Sequence, residues 1–201
     1  KEFTQVAKNN MAEGKISWFE DGQLNASVNC IDRHLPAKAD DIAIIWEADS
    51  PGQHQKMTYQ ELHDEVCQLS NAMIKLGIKK GDRVCIYLPM IPEAAYSMLA
   101  CARIGAVHSV VFGGFSPEAL KDRILDADAK LLITADEGIR GGKTIPLKLN
   151  ADAAAAQCPK LEHVVTVAHT KNQVPWHAKD LWYHDIIQGQ STECKPAVMN
   201  A

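Results

Sequence analysis

An α/β fold, with an open, mostly parallel sheet flanked by helices, is predicted by three features of this 201-residue sequence. Beyond Gly81, short apolar runs alternate strictly with segments of helical periodicity. The first of these runs, Val84-Cys85-Ile86-Tyr87-Leu88, is apolar without a break, as in a strand covered on both faces. Capping or turn residues stand at most junctions between them, which is the pattern of repeated strand–helix units.

The first residues read as irregular. Leu24, Val28, Ile31 and Leu35 then follow helical spacing, with Asp21-Gly22 as the start of that helix. Ile42-Ala43-Ile44-Ile45-Trp46 reads as a short strand. After the polar loop Asp49-Ser50-Pro51-Gly52, Lys56-Met57-Thr58 pairs back as a hairpin. Thr58 caps a long helix, and Glu61 three residues later completes a capping box. The buried stripe of this helix is Leu62, Val66, Leu69, Met73 and Leu76, and Gly77 ends it.

Val84-Cys85-Ile86-Tyr87-Leu88 opens the alternating region as a strand. Pro92 sits in the first turn of a helix carrying Ala95, Met98, Leu99 and Ala102. His108-Ser109-Val110-Val111-Phe112 is the next strand. Ser116 caps a further helix with Pro117 at its first position and Leu120, Ile124 and Leu125 facing inward. Lys130-Leu131-Leu132-Ile133-Thr134 is a third strand, Pro146 opens a helix reaching about Cys158, and His163-Val164-Val165-Thr166-Val167 is a fourth strand. Residues 171–189 form a polar, tryptophan-bearing stretch with a short helix expected at 179–187. The chain thus divides into a segment with helices and a hairpin (1–80), a parallel α/β subdomain (81–170) and a tail (171–201).

Composition narrows the function. Hydrophobic residues make up 46% and charged residues 23%, an ordinary globular balance. No apolar run approaches the ~20 residues that a membrane span requires, and the polar first ten residues lack the apolar core of a secretory signal. The net charge of −4 argues against general nucleic-acid binding, so an anionic ligand needs a local basic site. Cys30, Cys67, Cys85, Cys101, Cys158 and Cys194 are scattered and contain no C-x-x-C pair, as expected of reduced thiols in a cytoplasmic protein. A start without Met and an end without a terminating motif are expected of part of a longer chain.

Ligands of open α/β sheets bind outside the carboxyl ends of the strands. Three loops leave those ends: Pro89-Met90-Ile91-Pro92, Gly113-Gly114-Phe115-Ser116, and residues 135–144. Gly113 and Gly114 let backbone approach a ligand beside a helix start with free N–H groups, or else they serve only a tight turn. Neither G-x-G-x-x-G nor G-x-x-x-x-G-K-[ST] occurs. In the third loop, Arg140 and Lys143 flank Gly141 and Gly142. The two cations can close on a phosphate, Arg as a planar fork and Lys as a point charge, or each can pair with Asp136 or Glu137 on a solvated loop. The eight histidines show no zinc spacing. Ser109 and Ser116 lack a nucleophile-elbow setting. From the residues alone, the reading ends at a candidate phosphate loop without a reaction.

Longer stretches carry a resemblance. Leu24-Asn25-Ala26-Ser27-Val28-Asn29-Cys30-Ile31-Asp32-Arg33-His34-Leu35, Ala43-Ile44-Ile45-Trp46-Glu47 and Tyr87-Leu88-Pro89-Met90 resemble the AMP-forming acetyl-coenzyme A synthetases of the adenylate-forming acyl-CoA ligase superfamily. So do the continuous run from Ala100 through Val110-Val111-Phe112-Gly113-Gly114-Phe115-Ser116-Pro117-Glu118 and the segment from Asp136-Glu137-Gly138 through Ile145-Pro146-Leu147-Lys148. Asp180-Leu181-Trp182 with His184-Asp185 is the last.

The resemblance implies part of the large N-terminal domain of such an enzyme. Acetate and Mg2+-bound ATP form acetyl-adenylate, which the CoA thiol then attacks. It implies no catalytic residue here, since the phosphate loop, the acyl pocket and the ATP and Mg2+ sites lie outside this stretch. It places Arg140, Gly141, Gly142 and Lys143 at the 3′-phosphate ADP end of CoA, and Phe112, Gly113 and Gly114 along the pantetheine path. Relatives often carry Arg at both ends of the tetrad, whereas Lys143 keeps the charge without the bidentate fork. A propionyl-CoA or other short-chain synthetase, and a non-catalytic CoA- or nucleotide-binding module, remain alternatives. A purely structural domain, with the basic loop as solvated surface, is another.

Overall fold

Every strand of the central five-stranded sheet runs parallel to its neighbours, so those strands must be joined by crossovers longer than a hairpin. The computed structural model describes residues 1–200. Strands β1 (Ala7–Asn10) and β2 (Lys15–Trp18) form an antiparallel hairpin where the sequence reads as irregular. Strand β3 (Gln23–Leu24) pairs with the last two-residue strand, Met199–Asn200.

The helix expected from Leu24 to Leu35 is broken into α1 (Ala26–Cys30), a 3-10 turn (Asp32–His34) and α2 (Leu35–Lys38). Asn25 is the reason. Its side-chain oxygen accepts the Ser27 N–H at 2.9 Å, and its amide donates to the Ala102, Arg103 and Ala197 carbonyls. A buried Asn so committed starts the helix there and leaves Leu24 to the strand.

Strands β4 (Ile42–Glu47) and β5 (His54–Thr58) form the expected hairpin. Helix α3 (Tyr59–Lys75) follows with its capping box complete: Thr58 Oγ1 accepts the Glu61 N–H, and Glu61 accepts the Thr58 N–H. Leu62, Val66, Leu69 and Met73 are buried as the stripe predicts.

The sheet comprises β6 (Arg83–Tyr87), β7 (Val107–Val110), β8 (Leu131–Ala135), β11 (His163–Val167) and β12 (Asp180–Trp182), in the order β12-β11-β8-β6-β7. Helices α4 (Pro92–Ile104) and α5 (Pro117–Asp126) lead into β7 and β8. Strands β9 (Gly138–Arg140) and β10 (Lys143–Ile145), then α6 (Leu147–Ala155), lead into β11. Helix α7 (Tyr183–Ile187) and strand β13 (Met199–Asn200) close the chain. Helix α3 packs on both α4 and α7, and α5 packs on α6. Cys85, Ile86, Leu131, Leu132 and Ile133 are wholly buried between these helices.

Four details depart from the sequence reading. The tail supplies a fifth strand, β12, where only a helix is expected; it pairs with β11, and α7 follows it. Its anchor is the fully buried Lys148 of α6, which bonds to Asp180 at 2.8 Å, to Asp152 and to the Pro175 carbonyl. The inward face of α4 is Tyr96, Ala100, Cys101 and Arg103, while Ala95, Met98, Leu99 and Ala102 are half-buried. Leu125 of α5 is 44% exposed, because only Leu120 and Ile124 reach the core. Strand β7 stops at Val110, leaving Val111 and Phe112 in the loop beyond it.

Arg103 is 3% exposed and holds the N-terminal segment against α4. It forms a bidentate pair with Asp32 at 2.8 and 2.9 Å and donates to the Cys194 carbonyl at 2.8 Å. Arg103→Ala strands Asp32 and that carbonyl, so a loss of about 3 kcal/mol is expected in urea unfolding. Desolvation pushes the Asp32 carboxyl up, but the Arg103 hydrogen bonds and charge outweigh it and hold Asp32 below its ordinary 3.8. A lowered folded value contributes stability above about pH 4 that is lost as pH falls through the folded value. Asp32→Asn therefore lowers stability at pH 7 and flattens its decline in acid, measured by unfolding midpoints across pH 2–7.

Candidate functional site

The order of the strands sets where a ligand can bind. The chain passes from β6 outward to β7, then crosses back over β6 to β8 on its other side. Such a reversal opens a crevice at the strand carboxyl ends. Four loops meet along that edge: residues 88–91 after β6, 111–116 after β7, 136–146 after β8 and 168–171 after β11.

The third of these is folded more tightly than the sequence suggests. Residues 138–145 form an antiparallel hairpin in which Arg140 pairs with Lys143 and Ile139 with Thr144. Gly141 and Gly142 are its two-residue turn, with φ of +57° and +70°. Two successive positive φ values are the hairpin geometry that glycine adopts without steric cost. The turn carries both cations outward, where Arg140 and Lys143 are exposed.

The loop after β7 comes to meet it. The Arg140 guanidinium carbon lies 5.1 Å from the centroid of the Phe112 ring, a cation–π contact. Phe112 in turn meets Phe115 edge-on at 5.8 Å. Gly114 lies under the Phe112 ring so closely that a Cβ there would fall 2.6 Å from a ring carbon. At Gly113 the nearest neighbour is the Leu88 carbonyl oxygen, 3.1 Å from a Cβ. Tyr87, at the end of β6, fixes this loop: its hydroxyl donates to the Phe115 carbonyl at 2.7 Å and accepts from Asn150 at 3.2 Å. All seven sequence-derived candidates, Phe112, Gly113, Gly114, Arg140, Gly141, Gly142 and Lys143, thus share one end of the sheet.

The carboxylates offered as partners for the two cations are committed elsewhere. Asp136, 1% exposed, accepts backbone N–H groups from Glu137, His169, Thr170 and Lys171. Glu137 accepts from Thr170 Oγ1 and the Asn172 amide. Among the described residues, neither Arg140 nor Lys143 forms an ion pair.

Asp49, part of a loop that reads only as polar, is a member of this site that the sequence does not reveal. Its carboxylate accepts the Gly141 and Gly142 N–H groups from 92 and 93 residues away. The Gly142 and then the Gly141 amide hold its carboxyl below the usual carboxylate range. No local signal in Asp49-Ser50-Pro51-Gly52 announces so distant a contact.

Other chemistry is poorly supported. Burial pushes the thiols of Cys85 and Cys101 up to about 12 and that of Cys67 to about 11, which leaves them unreactive. No group of three potential metal ligands occurs among the described residues. Nor is any helix there long and apolar enough to cross a membrane. An open cleft of about 470 Å³ lies away from the cations, beside the end of α6 and residues 177–180. Its nearby buried cation, Lys148, is already paired with Asp152 and Asp180.

Known proteins share this arrangement of elements. An acetyl-coenzyme A synthetase of Saccharophagus degradans is 57% identical over 202 aligned positions, covering 100% of this chain and 31% of the relative. An acetyl-coenzyme A synthetase 2 of Pseudomonas aeruginosa is 54% identical with the same coverage. An acetyl-coenzyme A synthetase of Parvibaculum lavamentivorans is 59% identical over 187 positions, 92% of this chain and 29% of the relative. The chain therefore spans 29–31% of the length of these relatives. The solved structure of an acetoacetyl-CoA synthetase from Streptomyces lividans matches with a TM-score of 0.88 at 23% identity. It covers 99% of this chain and 30% of that one, a likeness of fold. A family model described as AMP-binding enzyme matches residues 31–197, from just beyond α1 through the sheet and both candidate loops, and the chain belongs to that family.

Proposed function

We propose that this chain works as part of an AMP-forming acetate–CoA ligase, where it supplies scaffold and one wall of the CoA site. The observation that carries the reading is the pairing of two exposed cations, neither of them in an ion pair among the described residues, with an aromatic–glycine loop. Arg140 and Lys143 stand on a two-glycine hairpin turn, and the Phe112 ring of the Phe112-Gly113-Gly114 loop lies against the Arg140 guanidinium. A ligand with a phosphate-bearing end and a long, mostly apolar arm matches that surface, and CoA has this form. Close relatives named for acetyl-CoA synthesis support acetate as the acyl substrate.

In this reading the parent enzyme joins acetate to AMP at the expense of ATP, releasing pyrophosphate, and CoA then displaces AMP. The chain's own residues act in the second step only. Arg140 meets the phosphate as a planar fork, Lys143 adds a point charge, and the Phe112 loop guides the arm toward the adenylate. ATP, Mg2+ and acetate are held by parts of the enzyme outside these residues. The reading places the enzyme in the cytoplasm, where unpaired buried thiols persist.

Arg140→Ala in the synthetase carrying this chain is expected to raise the KM for CoA about tenfold, the scale of one lost charge-assisted contact. Acetate-dependent ATP–pyrophosphate exchange, which needs no CoA, reports the first step; an equal loss there would contradict the assignment. Lys143→Arg restores a bidentate fork and is expected to lower the KM for CoA by about threefold, read in the same steady-state assay.

A further inference from the structure

We propose that Asp49 is a positioning residue for the cationic turn, holding Arg140 and Lys143 in their binding geometry without touching the ligand. This rests on the CoA-site reading above.

Asp49 Oδ1 accepts the Gly141 N–H at 3.1 Å and Oδ2 accepts the Gly142 N–H at 3.0 Å. One carboxylate thereby takes both amides at the tip of the hairpin. Two consecutive glycines are otherwise its softest point, since glycine has the widest choice of backbone states. The carboxylate comes from a support that is itself anchored. Trp46, on the same β4–β5 hairpin, donates its indole N–H to the Met90 carbonyl at 2.6 Å and meets the His169 ring edge-on.

Two further consequences follow from this geometry. Arg140 and Lys143 are direct cross-strand partners, and like charges placed so repel. The negative charge of Asp49 at the turn between them offsets that repulsion. Successive amides in a left-handed turn also form a concavity that binds anions. With Asp49 seated there, a phosphate cannot settle on the backbone of the turn and meets the two side chains instead. The same two amides, Gly142 first, hold the carboxyl's proton affinity below its ordinary value.

The test compares Asp49→Ala, Asp49→Asn and Arg140→Ala in the synthetase carrying this chain. CoA kinetics are measured alongside amide hydrogen exchange at Gly141 and Gly142. Asp49→Ala is expected to speed exchange at both amides and raise the KM for CoA about tenfold, with the change falling on CoA rather than on acetate and ATP. Asp49→Asn keeps one acceptor oxygen aimed at the turn and is expected to raise it about threefold. Electrostatics alone argues for the opposite sign, because removing a negative charge beside a phosphate site should lower that KM. An unchanged or lowered value in Asp49→Ala, with Arg140→Ala still raising it, overturns the positioning role and leaves the CoA site standing. If Arg140→Ala also leaves it unchanged, the site reading fails, and the role of Asp49 fails with it.

Discussion

Asp136 lies buried at the carboxyl end of β8 and accepts four backbone N–H groups, three of them from the loop after β11. Parallel strands end in loops whose amides have no ladder partner, and buried amides must find one. Asp136 meets that demand for two adjacent strands at once. Because it does, it is not available to the cations that follow it in the chain. Glu137 is drawn into the same loop by Thr170 and Asn172. The exposed positive charge of Arg140 and Lys143 is thus a by-product of how the sheet closes its own edge. A chain with a net charge of −4 thereby acquires a basic point at the place where its fold can receive an anion.

The same logic holds the outlying segments in place. Arg103 and Lys148 are buried cations on opposite helical layers, and each reaches a part of the chain remote in sequence. Arg103 ties Asp32 and the Cys194 carbonyl to α4, while Lys148 ties Asp180 and the Pro175 carbonyl to α6. A buried charge left unpaired costs several kcal/mol, so these contacts choose one arrangement strongly even where they add little net stability. The β4–β5 hairpin is the third such tie. Through Trp46 and Asp49 it joins the loops after β6 and β8, so the carboxyl edge behaves as a braced surface rather than as separate loops.

Much of the architecture is legible from local pattern. The capping box at Thr58 and Glu61, the stripe on α3, the apolar runs of β6, β8 and β11 and Ser116-Pro117 all mark elements that form as read, because each is decided within a few residues. The misread elements are those decided by partners far away. Asn25 ends a periodicity that would otherwise continue, since three distant carbonyls claim its amide. Strand β12 forms in a polar stretch because β11 leaves an edge open beside it and Lys148 captures Asp180.

The candidate site divides along the same line. Arg140, Gly141, Gly142 and Lys143 are visible as a motif, but the hairpin that turns both charges outward is not, because it is set by the pairing of residues 138–140 with 143–145. Phe112, Gly113 and Gly114 are visible as a loop after a strand. That the two loops touch, through the Phe112 ring and the Arg140 guanidinium, is a property of the sheet order and of no local pattern. The same holds for whether the cations are free, since Asp136 and Glu137 lie within a few residues and offer themselves as partners in any linear reading. Composition and periodicity determine the elements and the charges; only the packed chain decides which charges meet, because burial sets the cost of leaving an amide or a carboxylate alone.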